Sequence, residues 1–239
     1  MSRRGLVLTC EHASRRFPRS VGSLGLSAIQ RKSHIAWDKG AARLARALAA
    51  QLECPAVVGT YSRLVADLNR SPHHPRVVPK VAFGTRVPGN AALTSAERAR
   101  RIATYHAPWR TEALRVIERA TRGAGGCVHL SIHSFTPILH GMVRRVDVGL
   151  LYDPGRTRER QLANELESLL EARGFSVRRN YPYRGTSDGF TTWCRRQLPA
   201  GRYIGIEIEL NQRLVGQPGV QRRMVDAVAG IFDSQSRRR

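Results

Sequence analysis

The sequence predicts an α/β protein: a single three-layer α/β/α domain over residues 1–239, with a mixed, mostly parallel sheet between two layers of helices. Three observations carry that prediction. Short apolar runs of strand length alternate along the chain with longer stretches of helical periodicity. A length of 239 residues and a hydrophobic content of 41% are enough for a substantial core. Polar, reactive side chains recur where the apolar runs end, which is where open α/β sheets collect their ligands.

Taken in order, Gly5 to Cys10 is the first strand, and it stops at Glu11-His12. Pro18 to Leu26 reads as a loop. A helix follows from about Asp38 to Leu52, with Ala41, Leu44, Leu48 and Leu52 on one stripe. Asp38 stands at its start, where a carboxylate suits an N-cap and the helix dipole. Cys54 to Val58 is the second strand. Tyr61 to Arg70 has an apolar middle bracketed by polar residues. Residues 71–90 then carry four prolines, the adjacent His73 and His74, and no periodicity, the pattern of a long binding loop. Its two histidines suit metal binding or plain solvation. Thr94-Ser95-Ala96-Glu97 is a capping box. It opens one long helix or two, running to about Arg122, with Ile102, Tyr105, Trp109, Leu114, Ile117 and Ala120 on the inner side.

The next stretch organises the rest. Cys127 to Phe135 alternates Val128, Leu130 and Ile132 with polar residues and reaches His133 at its carboxyl end. Gly125-Gly126 and Thr136-Pro137 are the breakers on either side. After Arg144-Arg145 come a strand from Val146 to Tyr152 and a helix striped by Leu162, Leu166, Leu169 and Leu170 that ends near Gly174. Phe175-Ser176-Val177 is a short edge strand, Asn180 to Gly185 a loop, and Ser187-Asp188 the start of a short helix reaching Leu198. Tyr203 to Leu210 is a late buried strand and Val220 to Phe232 the closing helix. Residues from about 234 to 239 read as a flexible basic tail.

Composition narrows the function. No apolar run approaches the roughly 20 residues that span a bilayer, and Met1-Ser2-Arg3-Arg4 precedes too short an apolar stretch for a signal peptide, so a cytoplasmic protein is expected. Cys10, Cys54, Cys127 and Cys194 form no C-x-x-C pair and read as reduced thiols. The formal net charge is +22, and of the 40 basic residues three are lysine and 37 arginine. Such a charge suits a nucleic-acid or polyanion binder. The arginines are dispersed, however, and aromatics are only 6% of the chain, which leaves few platforms for base stacking.

The residues that bear chemistry sit at the predicted strand ends. A catalytic zinc takes three protein ligands and keeps a fourth position open. His12 and His133 supply two imidazoles, though either alone also suits a hydrogen-bonded core. A carboxylate, Asp38 or Glu11, supplies the third ligand. Glu11 and His12 can share an ion only if the strand breaks between them, because neighbours on a strand point to opposite faces. Glu207 and Glu209 share one face of the late strand, a costly placement unless the carboxylates are paired or used. Ion pairs with the many arginines are one use, and general-base catalysis another. Glu209, nearer the carboxyl end, is the candidate base. Arg63, Asn69, Arg70 and Arg145 suit recognition of an anionic substrate, and Arg63 also suits a developing oxyanion.

These pieces in this order resemble the N-formylglutamate amidohydrolase family. The resemblance rests on Thr9-Cys10-Glu11-His12-Ala13-Ser14, His34-Ile35-Ala36-Trp37-Asp38-Lys39-Gly40-Ala41, and Tyr61-Ser62-Arg63 through Asp67-Leu68-Asn69-Arg70. It continues through Pro88-Gly89-Asn90, Arg101-Ile102, Ser131-Ile132-His133-Ser134-Phe135-Thr136-Pro137, Asn180 with Pro182-Tyr183, and the strand of Glu209. It implies kinship with zinc carboxypeptidases and aspartoacylases, and their zinc-exopeptidase-like (phosphorylase/hydrolase-like) fold. It implies Zn2+ or another divalent metal as cofactor, held by His12 and His133. By the same resemblance Asn69 and Arg70 bind the substrate carboxylate, Arg63 polarises the carbonyl and Glu209 activates water. The carboxypeptidase pattern has a Glu three residues after its first His, where this chain has Arg15. The third ligand then comes from elsewhere, with Asp38 ranked ahead of Glu11. The expected activity is metal-dependent cleavage of the amide bond in a small anionic N-acyl amino acid such as N-formylglutamate. A polyanion binder on a hydrolase scaffold and a zinc carboxypeptidase acting on peptides are the rival expectations.

Overall fold

Six segments of the chain pair into one six-stranded sheet in a computed structural model of the protein, which describes residues 5–123 and 125–236. The strands are β1 (Leu6–Cys10), β2 (Ala56–Val58), β3 (Cys127–Phe135), β4 (Val148–Leu151), β5 (Val177–Arg179) and β6 (Tyr203–Asn211). Their order across the sheet is β2-β1-β3-β6-β4-β5. Four of the five pairings are parallel, and only β6 with β4 is antiparallel. The sheet is therefore mixed and mostly parallel, as expected. The chief helices are α1 (Ala41–Leu52), α2 (Ser95–Arg101), α3 (Ala107–Arg122), α4 (Thr157–Glu171), α5 (Phe190–Gln197) and α6 (Val220–Ser236).

Side-chain parity divides the two faces. Leu6, Leu8 and Cys10 of β1, Val128, Leu130 and Ile132 of β3, and Ile204, Ile206, Ile208 and Leu210 of β6 pack with α1, α4 and α6 in the larger core. The opposite parity gives Val7, Cys127 and Tyr203, which meet α3 and α5 in a smaller core. Further along the strands that second face turns polar. Thr9, His129, Ser131, His133, Glu207 and Glu209 all lie on it, and all are buried. This gradient from apolar to polar along one face creates the site.

Several expected boundaries move. Helix α1 starts at Ala41, and its N-cap is Gly40 at φ 85°, not Asp38. Glycine is required there twice over, by the positive φ and because a Cβ would lie 2.6 Å from Val215 Cγ2. The stretch 71–90 is not structureless: it holds a 3₁₀ turn at Pro75–Val77, a hairpin of Val81–Ala82 with Thr85–Arg86, and a helical turn at Pro88–Ala91. A second hairpin joins Ile138–Leu139 to Met142–Val143. The capping box at Thr94 is present, but the helix it opens breaks into a π-helical turn at Ile102–His106 before α3. That turn shifts the phase of the inner face, so Arg110, Ala113, Ile117 and Thr121 are the buried positions of α3. Helix α6 runs to Ser236, past the expected start of the tail, and residues 237–239 lie outside the described residues. Among the described residues no helix is long and apolar enough to cross a membrane.

Candidate active site

Strand β1 ends at Cys10, so Glu11 and His12 fall in a turn and escape strict alternation. His12 swings toward the loop before α1, where the Asp38 N–H donates to the His12 carbonyl at 2.9 Å. His133 arrives from β3, the next strand over. The two rings lie edge to face with centroids 4.9 Å apart.

Their nitrogens divide in the same way. His12 Nδ1 is 3.3 Å and His133 Nδ1 2.8 Å from the same oxygen, Asp38 Oδ2. His12 Nε2 pairs instead with Asp67 Oδ1 at 2.7 Å. His133 Nε2 lies 3.0 Å from Glu11 Oε2, within ion-pair reach though off the axis of a straight hydrogen bond. Arg63 closes the ring of charge, with Nη1 3.3 Å from Asp38 Oδ1 and Nη2 3.3 Å from Asp67 Oδ2. His12, Asp38 and His133 thus offer ligand atoms within 4.8 Å of one another.

Glu11 is held by more than His133. Thr9 and Ser131 donate their hydroxyls to its two oxygens, each at 2.6 Å. Behind Thr9 the chain of bonds continues to His129 Nε2 at 2.8 Å, and from His129 Nδ1 to the Tyr203 hydroxyl at 2.7 Å.

Burial and these partners set the protonation. Burial alone would raise the Glu11 carboxyl, but His133, Ser131 and Thr9 outweigh it and hold it at about 2. Burial opposes ionised Asp38 and Asp67 as well, and the nearby imidazoles and Arg63 overcome it. For His133 burial disfavours the cation, yet Asp38 and Glu11 raise its pKa well above the usual value. Glu209 is the opposite case. Burial pushes its carboxyl up to about 7, His133 offsets this in part, and Asp38 and Glu207 add to it. Its Oε2 has no hydrogen-bond partner among the described residues.

A cavity of about 570 Å³ opens over this cluster. His12, Asp38, Arg63, Asn69, Arg70, His133 and Glu209, seven of the residues singled out in the sequence, all line it. Glu11 does not line it: it is fully buried behind His133. Arg145 is a correction. It is exposed and outside the cavity lining, in a stretch whose backbone the Asn211 amide ties down by donating to the carbonyls of both Arg144 and Val146 at 2.8 Å. Arg144 is the buried neighbour, its guanidinium 5.6 Å from the centre of the Tyr183 ring that lines the cavity. His73 and His74 lie outside the lining, and His74 Nδ1 accepts a bond from the Arg76 N–H. Asp67 was not singled out, although an acid between Arg63 and Arg70 in so basic a chain is a signal. His129 and Ser131 share the parity of His133, which also marks them.

A mixed open sheet that gathers imidazoles, carboxylates and arginines at its strand carboxyl ends has the build of an α/β enzyme. The chain belongs to the N-formylglutamate amidohydrolase family, hydrolases of linear amide C–N bonds, whose family model matches residues 4–215. Among solved structures it is similar to a gene product of Agrobacterium tumefaciens, with 34% identity, a TM-score of 0.79, and 95% of this chain and 91% of that one covered. It also shares its fold with the N-formylglutamate amidohydrolase of Ralstonia eutropha JMP134, at 23% identity and a TM-score of 0.71, covering 98% of this chain and 94% of that one. No curated protein matches the sequence significantly.

Proposed function

We propose that this protein hydrolyses the amide bond of a small N-acyl amino acid bearing carboxylate, N-formylglutamate or a close relative, with a divalent metal, zinc, held by His12, Asp38 and His133. The observation that carries this reading is the convergence of both Nδ1 atoms on one Asp38 oxygen beneath a cavity that Glu209 also lines. The donor set fits the ion: two imidazoles and a carboxylate are the ligand types of a catalytic zinc site. The remaining ring nitrogens already face carboxylates, Asp67 and Glu11, the usual way of fixing the tautomer and orientation of a ligating histidine. That role suits Glu11 better than direct ligation.

A divalent ion bound there supplies Lewis acidity to the scissile carbonyl. The residues do the rest. Asn69 and Arg70 take the substrate carboxylate, and Arg63 faces the developing oxyanion. Glu209, with a free oxygen and a carboxyl poised near neutrality, removes the proton of the attacking water and passes it to the leaving nitrogen. The four cysteines are free thiols, which supports a cytoplasmic setting.

A second reading has its own support. At about 570 Å³ the cavity is of drug size, roomier than a ligand of about a dozen heavy atoms needs. Peptide or longer acyl substrates are then the alternative. Elemental analysis of purified protein, with a substrate series running from N-formyl to N-acyl amino acids to short peptides, tests both. A metal-replete protein that cleaves none of them sinks the proposal, and peptides outcompeting acyl amino acids would favour the second reading.

A further inference from the structure

The π-helical turn at Ile102–His106 aims two residues at the main chain of the Asn69–Arg70 segment. His106, only 1% exposed, donates from Nε2 to the Arg70 carbonyl at 2.8 Å. Arg110, 5% exposed and one turn later, donates from Nη1 to the same carbonyl at 3.0 Å and to the Leu68 carbonyl at 3.3 Å. Its positive charge is met by carbonyl oxygens and ring faces. The guanidinium lies 4.8 Å from the centre of Phe190 and 4.5 Å from that of Trp193. The same α5 helix end grips the segment from the other side, because the Phe190 N–H donates to Asn69 Oδ1 at 2.6 Å. A buried guanidinium is costly to desolvate, and a single apolar residue of that length would fill the space more cheaply.

We infer that Arg110 and His106 are positioning residues of the anion site: by clamping the Arg70 carbonyl they hold the Leu68–Arg70 backbone so that Asn69 and Arg70 face the cavity. The inference rests on the proposed carboxylate-binding role of those two residues. Neither clamp residue lines the cavity, so both act through the segment they hold. The π turn explains the geometry, since the additional residue it inserts rotates His106 and Arg110 inward together.

The test uses the full chain loaded with zinc. L-Glutamate, a dicarboxylate product of the proposed reaction, is titrated by calorimetry, and N-formylglutamate hydrolysis is followed in parallel. Arg110→Met and His106→Leu, which remove the donors, are expected to raise both the dissociation constant and KM about tenfold, on the order of one lost hydrogen bond, while kcat stays within about twofold. Arg110→Lys, which keeps a donor, is expected to restore part of the loss. Variants that bind glutamate as wild type does, or that lose kcat with KM unchanged, would overturn the inference. Should Arg110→Met fail to fold, the His106→Leu result decides alone. A wild-type protein that neither binds glutamate nor cleaves the substrate would instead remove the proposed function itself.

Discussion

His133 Nδ1 lies 2.8 Å from Asp38 Oδ2, and a loop before α1 thereby reaches across to the carboxyl end of β3. The Ser134 N–H adds a 3.4 Å contact to the same oxygen. Asp38 is thus the point where three distant pieces of chain meet, since His12 approaches it from β1. Its removal breaks the cluster in a way that loss of a helix cap would not.

The first prediction separates ligands from supports. Wild-type protein should carry about one divalent ion per chain, and His12→Ala, Asp38→Ala and His133→Ala should each abolish it. Glu11→Gln should retain the metal with affinity weakened about 10–100-fold, the usual cost of losing a carboxylate behind a ligating histidine. Elemental analysis and competitive chelation measure both. Equal metal loss in Glu11→Gln and Asp38→Ala would make Glu11 the ligand.

Glu209→Gln keeps the shape and removes the base. Turnover should fall on the order of 10²–10⁴-fold while metal content stays at the wild-type level. Glu207 is the control on the same face. It already accepts the Thr191 hydroxyl at 2.5 Å, so Glu207→Gln should cost less than Glu209→Gln.

Much of this was legible in the chain. Strict alternation over Cys127–Phe135 and Tyr203–Asn211 placed both long strands and told which side chains share a face. Asp38 could be located but not aimed, because its direction depends on Gly40 taking over the cap and on two histidines remote in sequence. Arg110 was hidden. It lies seven residues before Ile117, near the same stripe, but an arginine in so basic a chain reads as solvent-facing, and the π turn that sets the phase of the buried face has no clear mark in the sequence. Arg145 is the candidate the sequence offers, and the structure buries its neighbour Arg144 instead, in a stretch outside any strand where alternation gives no guide.

His129 makes stability depend on pH. Burial lowers its pKa to about 4, against about 6.5 in an unfolded chain. Between those values the unfolded state binds the extra proton, so stability rises with pH across that window. Above it both states are neutral and the cost vanishes; below it the cost is complete, about 3 kcal/mol. Urea unfolding at a series of pH values should show this slope. His129→Gln should start less stable, through loss of the Thr9 and Tyr203 bonds, and show a flatter profile from pH 4 to 6.5.

Gly149→Ala should destabilise the fold and the cavity wall together. A Cβ on Gly149 would lie 1.8 Å from the Tyr181 carbonyl oxygen and 3.3 Å from Glu209 Cβ. Backbone cannot yield as a flexible side-chain tip can, so the segment carrying Tyr183 and Arg184 must move away. A loss of about 3 kcal/mol, at the upper end for overpacking, is expected in denaturant melts. A variant as stable as wild type would show that this strand and loop are not packed as described.

Arg63→Lys tests how charge is shared at the site. The guanidinium forks between Asp38, which both His12 and His133 share, and Asp67, which holds the far side of His12. Burial disfavours its charge, but Asp67 and Asp38 raise its pKa above the usual value. A lysine presents one nitrogen and cannot span both partners, so one carboxylate is released, and with it either the proposed ligand Asp38 or the Asp67 support of His12 loosens. Metal affinity should then fall about 10–100-fold along with turnover. If Arg63 acted on the substrate oxyanion alone, turnover would fall and metal affinity would not. Measuring both in the same variant separates a residue that stabilises the transition state from one that also holds the metal cluster in register.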